Sequence, residues 1–188
     1  MSALLFPIGH AAGPHVAGDP VRHVVRVGRT TELLSEAELR VWDLAHRSAD
    51  VTDLLAACEA AHIDDADQHV EVLLRRGVLA RADDTIAFAQ QHRLRPLFVG
   101  LGNRPDDPGR FAIGVPGLEP LATVDPTTYE LWQWGWVAPS LWAHCEVLAT
   151  IGEQVAGEPG VPADQLGTVL DGLSTLLSES VVVLDTVS

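Results

Sequence analysis

Residues 31–81, TELLSEAELRVWDLAHRSADVTDLLAACEAAHIDDADQHVEVLLRRGVLAR, decide the fold. The stretch reads as three short capped helices followed by a strand. Ser35-Glu36-Ala37-Glu38 is a capping box: the Ser35 hydroxyl accepts the Glu38 amide and the Glu38 carboxylate reaches back, so a helix starts at Glu36. Asp50 opens a second helix. Asp64, backed by Asp65 and Asp67 where the helix dipole favours negative charge, opens a third, with Ala66, Val70, Leu73 and Leu74 along one stripe. Gly77 ends that helix in a left-handed conformation. Val78-Leu79-Ala80, then Asp83-Asp84, then Ile86-Ala87-Phe88 predict a strand, a turn and a strand, the wing of a winged helix.

Upstream, Ala3 to Gly9 reads as a short strand, ended by a Gly/Pro-rich loop through Asp19-Pro20. Val21 to Val27 alternates, with Val21, His23, Val25 and Val27 on one face and Arg22, Val24 and Arg26 on the other, as a half-buried strand requires. Downstream, the order begins again. Leu97-Phe98-Val99-Gly100 echoes Leu5-Phe6-Pro7-Ile8, NRPDDPG supplies a loop, and Phe111 to Val115 supplies a second strand. Asp125-Pro126-Thr127-Thr128-Tyr129-Glu130-Leu131-Trp132 falls on Ser35 to Trp42, cap on cap and Trp on Trp. Leu176-Leu177 followed by Val181 to Leu184 answers Leu73-Leu74 followed by Val78-Leu79. The expected architecture is therefore α+β: two tandem winged-helix units, residues 1–90 and 96–188, the second divergent and acidic.

The chain carries a net charge of -14; all twelve basic side chains are arginine, and the last is Arg110. Residues 111–188 hold ten carboxylates and no compensating cation. Such a surface repels phosphate, which argues against nucleic acid as a partner. Cys58 and Cys145 are too few for a disulfide framework or a thiolate zinc site and read as small buried hydrophobes. The start, MSALLFPIGHAAG, lacks a basic region and has a short apolar run, so it predicts neither a signal peptide nor an anchor, and a cytoplasmic protein.

Chemistry-bearing motifs are sparse. His62, Asp64, Asp67 and His69 would fan out around a helix start, and neither HExxH nor a Cys/His pair at ligand spacing occurs, so no metal is expected. His144 and Cys145 are neighbours on a helix and point about 100° apart, too far for a dyad. Gly100-Leu101-Gly102 lacks the third glycine of a dinucleotide loop, and no Walker or GxSxG sequence is present, so neither cofactor nor catalysis is expected. Arg22, Arg26 and Arg29 form a basic patch expected on an edge strand, where a peptide can add with its carboxylates against the guanidinium groups. Arg75 and Arg76 are expected to satisfy the end of the third helix. Four of the five tryptophans lie between Trp132 and Trp142; Trp132 is expected in the core, and Trp134 or Trp136 either in packing between the two units or, where an indole is exposed, at an interface with a partner or with a second copy in a homodimer.

Two short strands, a third at Thr31 to Leu34, then LSEAELRVWDLAHRSADVTDLLAAC and HVEVLLRRGVLAR together resemble the PqqD-like winged helix, the recognition element that holds leader segments of ribosomally made peptides for their modifying enzymes. The resemblance covers roughly residues 3–88 and, more faintly, 97–185. It implies a leader peptide added as a strand beside the third strand and lying against the third helix. The groove would then be lined by Thr31, Glu32, Leu33 and Leu34 and by Val70, Leu73 and Leu74, with Arg26 and Arg29 nearby. Members of the family usually carry one such unit, whereas this chain carries two, and the second has no basic residue after Arg110. The expected function is a non-enzymatic peptide- or protein-binding adaptor. The alternatives are a winged-helix DNA-binding regulator, which rests on fold analogy alone, and an acidic tandem subunit of a larger assembly.

Overall fold

The structure, a computed structural model, describes residues 3–15, 21–104, 107–157 and 159–187. The chain forms two compact units. The first runs to Asp84 and takes in Leu184–Thr186; the second comprises Thr85–Val183 with Val187. The division falls nearer the N-terminus than a break between residues 90 and 96 would place it.

The first unit contains strands β1 (Leu4–Pro7), β2 (His10–His15), β3 (Arg22–Val27) and β4 (Thr30–Leu34), helices α1 (Glu36–Leu44), α2 (Val51–Ala60) and α3 (Ala66–Arg75), and strand β5 (Leu79–Ala82). A single 3₁₀ turn, Ala45–Arg47, extends α1. The capping box is formed as its sequence dictates: Glu38 N–H donates to Ser35 Oγ at 3.2 Å and Ser35 N–H to Glu38 Oε2 at 2.6 Å. Asp50 caps α2 through the Asp53 amide at 3.0 Å. α3 starts one residue later than Asp64 predicts. The tight link from α2 puts His62 (φ 53°) and Asp65 (φ 52°) in left-handed backbone, which buries Ile63 between them and leaves Asp65 as a cap without a side-chain bond.

Two further expectations give way here. Residues 10–15 form a strand rather than a loop: β2 pairs antiparallel with β3, and Gly13 (φ 96°) absorbs a register shift between Ala11 and Gly13. An edge strand tolerates the bulge and Pro14, which an inner strand would not. The Asp19-Pro20 part of the expected loop lies outside the described residues. The wing hairpin is also replaced. β5 pairs antiparallel with β1, Leu5 opposite Arg81, and residues Thr85–Gln91 form helix α4 in the second unit instead of a second wing strand. With β5 already matched to β1, Ala and Gln follow their helical preference, and Phe88, Ala89 and His92 fall at helical spacing in the core.

The second unit continues with β6 (His92–Pro96), β7 (Val99–Arg104), β8 (Asp107–Gly114), β9 (Ala122–Val124), α5 (Pro126–Trp134), α6 (Leu141–Ala156), α7 (Pro162–Ser178) and the start of β10 (Val182–Thr186), whose last three residues are those counted with the first unit. After α4 its order is that of the first unit: one strand, three strands, three helices, one strand. The pairing repeats as well. β2-β3-β4 is matched by β7-β8-β9, and β1-β5 by β6-β10. Local devices recur at corresponding places. Gly102 (φ 81°) accompanies a register shift in β7 as Gly13 does in β2. Asp125 caps α5 through the Thr128 amide at 3.0 Å, as Ser35 caps α1. The counterpart of β1 is His92–Pro96 and not Leu97 to Gly100: this is the strand that pairs with β10, and it buries His92 and Leu94. Trp42 and Trp132 are both core residues. Trp42 donates Nε1–H to the Ile8 carbonyl at 3.2 Å, whereas buried Trp132 Nε1 has no partner among the described residues.

Candidate functional site

Three strands build the first candidate. β3 lies between β2 and β4, so Arg22 and Arg26 stand on a central strand and not on the edge that their sequence context suggests. The alternation itself holds: Val25 and Val27 turn inward with Leu34, while Arg22 and Arg26 are exposed on the opposite face. Arg29 sits in the turn joining β3 to β4. The strand beside an open edge is β4, whose strand neighbour among the described residues is β3 alone. Its register places Thr31 opposite Arg26 and Leu33 opposite Val24, so these two side chains share the outer face with the arginines.

Arg76, in the last turn after α3, reaches this edge. Its Nε donates to Glu32 Oε2 at 2.9 Å, one terminal nitrogen to Glu38 Oε1 at 3.4 Å, and the other to the Leu33 carbonyl at 3.0 Å. Because Leu33 accepts from outside the sheet, its amide and carbonyl point away from β3, as do those of Thr31 two residues earlier. Arg76 therefore does not simply close its own helix. The α3 terminus is satisfied by the backbone: Gly77 (φ 66°) donates to Leu74 and Val78 to Leu73 at 3.1 and 3.0 Å.

The residues that the family resemblance places in one groove separate in the structure. Leu34, Val70 and Leu73 are core residues with at most 2% of their surface exposed. Leu74 is half-buried, and Thr31 and Leu33 are exposed. The outer edge of β4, rather than a strand-helix groove with an apolar floor, is what those positions offer.

The second unit holds a different feature. Trp134 and Trp136 are more than half exposed. Trp134 lines an apolar groove of about 940 Å³ together with Val137, Pro139, Val147 and Ile151, with Glu130 and Glu146 among its walls. Trp136 lies in the adjoining turn, its Nε1–H bonded to the Gln133 carbonyl at 2.9 Å. The helical signal for this groove is present in the sequence. α6 buries Leu141, Cys145 and Ala149, yet it repeats Val147, Ile151 and Val155 at four-residue intervals on its exposed side.

Among the described residues, no group of three or more His, Cys, Asp or Glu side chains is placed to hold a metal. Burial lowers the pKa of His46 and His144 below the ordinary value and raises that of the Cys145 thiol to about 11. No helix among the described residues is long and apolar enough to cross a membrane. Comparison of the chain with protein-family models, with curated proteins and with solved structures finds no match.

Proposed function

We propose that the chain is a non-enzymatic cytoplasmic adaptor whose first unit takes an extended segment of a peptide or protein as an additional strand along β4. The observation that carries this reading is the outward-turned carbonyl of Leu33, which already accepts a bond from outside the sheet. An incoming strand would place amides where the Arg76 guanidinium now donates, and main-chain bonds to Thr31 and Leu33 would supply its affinity. Alternate side chains of that strand would lie over the outer face. There Arg26 stands opposite the small Thr31, and Arg22 lies further along the same strand. A segment with carboxylates at alternate positions fits that face. This agrees with the resemblance to PqqD-like recognition elements in its order of strands and helices.

The test uses backbone chemistry. Leu33→Pro removes an amide that faces away from β3 and leaves the β3 pairing intact, as edge prolines do. Affinity capture from the cells that make the protein, with mass spectrometry of retained peptides, should lose the specific peptide with Leu33→Pro and weaken with Arg22→Glu, Arg26→Glu and Arg29→Glu together. Undiminished capture by a folded Leu33→Pro variant would rule out strand addition at β4.

A further inference from the structure

The groove of the second unit is independent of the β4 edge. Its lining residues run from Glu130 to Gln154 and come from α5, the following turn and α6. All of that backbone is helix or turn, so no strand edge is offered and a partner cannot add to a sheet here. The shape suits a helix laid along α6. Ala143, Val147 and Ile151 line it from α6 at every fourth residue, and Trp134, Val137 and Pro139 line it from the end of α5 and the segment after it.

Exposure sets this helix apart. α6 is apolar on two sides, one facing the core through Leu141, Cys145 and Ala149 and the other open to water. Val147 and Ile151 are each 51% exposed and Val155 is 84% exposed. An exposed apolar strip of this length, with two exposed indoles beside it, marks an interaction surface.

Charge identifies the occupant. The groove walls include Glu130 and Glu146, and exposed Glu153 follows on α6. Residues 111–188 contain no Lys or Arg. A second copy meeting it through this same face would bring carboxylates against carboxylates, and an anionic lipid or nucleic-acid surface would be repelled in the same way. We propose that this groove binds a cationic amphipathic helix of a partner protein, with apolar side chains entering between Trp134 and Ile151 and Lys or Arg residues meeting Glu130 and Glu146.

A synthetic amphipathic helix about three turns long, with leucines at i, i+3, i+4 and i+7 and flanking arginines, is titrated into the full chain. Indole emission and peptide anisotropy are followed. The expected result is a blue shift from the exposed indoles. Binding should be weaker on the order of tenfold for a glutamate-flanked twin, for a charge-matched scramble and against Ile151→Ser or the Glu130→Gln/Glu146→Gln pair. Leu33→Pro should leave it unchanged. These substitutions alter exposed or groove-lining side chains, and circular dichroism checks that the variants fold. Equal binding of the scramble would reduce the effect to net charge and overturn the proposal, as would equal binding of the glutamate twin or no binding at all. Self-association by sedimentation that Ile151→Ser abolishes would assign the groove to a second copy instead.

Discussion

The guanidinium of Arg76 donates to the carbonyl of Leu33 at 3.0 Å, so the outer edge of β4 is held by a side chain from the end of α3. The same guanidinium lies between Glu32 and Glu38, two carboxylates about a quarter exposed or less. Arg76→Ala leaves both carboxylates and the Leu33 carbonyl without this donor. It should lower stability by about 1–2 kcal/mol, more than a typical exposed ion pair contributes. A urea titration should show a lower midpoint at unchanged slope. If β4 takes a peptide strand, the same variant should capture it more tightly, because Arg76 competes for the acceptor that the peptide needs.

Gly77 and Ser180 occupy the same position in the two units. Val78 donates to Leu73 after α3, and Val181 to Leu176 after α7 at 3.2 Å, each past a left-handed residue. Ser180 holds φ 56° with a Cβ, a conformation that disfavours every residue but Gly and, less strongly, Asn and Asp. Ser180→Gly should therefore stabilise the chain. The converse change, Gly77→Ala, meets no atom within 4 Å, so its cost is conformational alone. It should amount to about 1 kcal/mol, read as a melting temperature lower by about 2–4 °C.

Most of the scaffold is legible in the residues. The Ser35, Asp50 and Asp125 caps, the Gly77 terminus and the alternation of β3 each follow from local chemistry, and each is formed as that chemistry dictates. Pairing partners are less legible, because they depend on tertiary competition. Nothing local in Leu79 to Ala82 says that β1 and not residues 85–91 will pair with it. The bulged edge strand at His10–His15 hides behind Gly13 and Pro14, which are turn signals in isolation. For the candidate sites, the exposed indole of Trp134 could be expected from its spacing relative to Trp132, whereas Trp136, four residues on, would share the buried face and is exposed because α5 ends at Trp134. The bond from Arg76 to Leu33 spans 43 residues, and no local pattern encodes it.

Both thiols should be inert in the folded protein. Cys58 and Cys145 are fully buried, and burial raises both pKa values, that of Cys145 to about 11. Thiolate is the reactive form, so a buried thiol that stays protonated reacts slowly even at alkaline pH. A disulfide reagent at pH 8 should label neither cysteine in native protein and both in urea. Rapid labelling of one thiol without denaturant would show that its helix opens locally.

Stability should fall as the solution is acidified, in two stages. Burial lowers the pKa of His46 and His144 below the ordinary 6.5. Between that value and the lower folded-state values, the unfolded chain binds protons that the native chain refuses, so stability is full above pH 6.5 and declines as pH drops through this window. The backbone carbonyls of Trp42 and Asp43, within 3.3 Å of His46 Nδ1, partly offset the effect there; for His144 burial acts alone. Asp125 supplies the second stage. Its carboxylate accepts the Thr128 hydroxyl at 2.6 Å and the Thr128 amide at 3.0 Å, which hold its pKa below the ordinary 3.8. That contribution is present above pH 3.8 and is lost as pH falls from there toward the depressed folded-state value. Urea midpoints measured from pH 7.5 down to pH 3 should decline across the first window, and His144→Leu should flatten that slope without altering the second. Asp125→Asn should do the reverse, lowering stability at neutral pH and removing the decline below pH 3.8, since the amide keeps the helix cap but does not titrate.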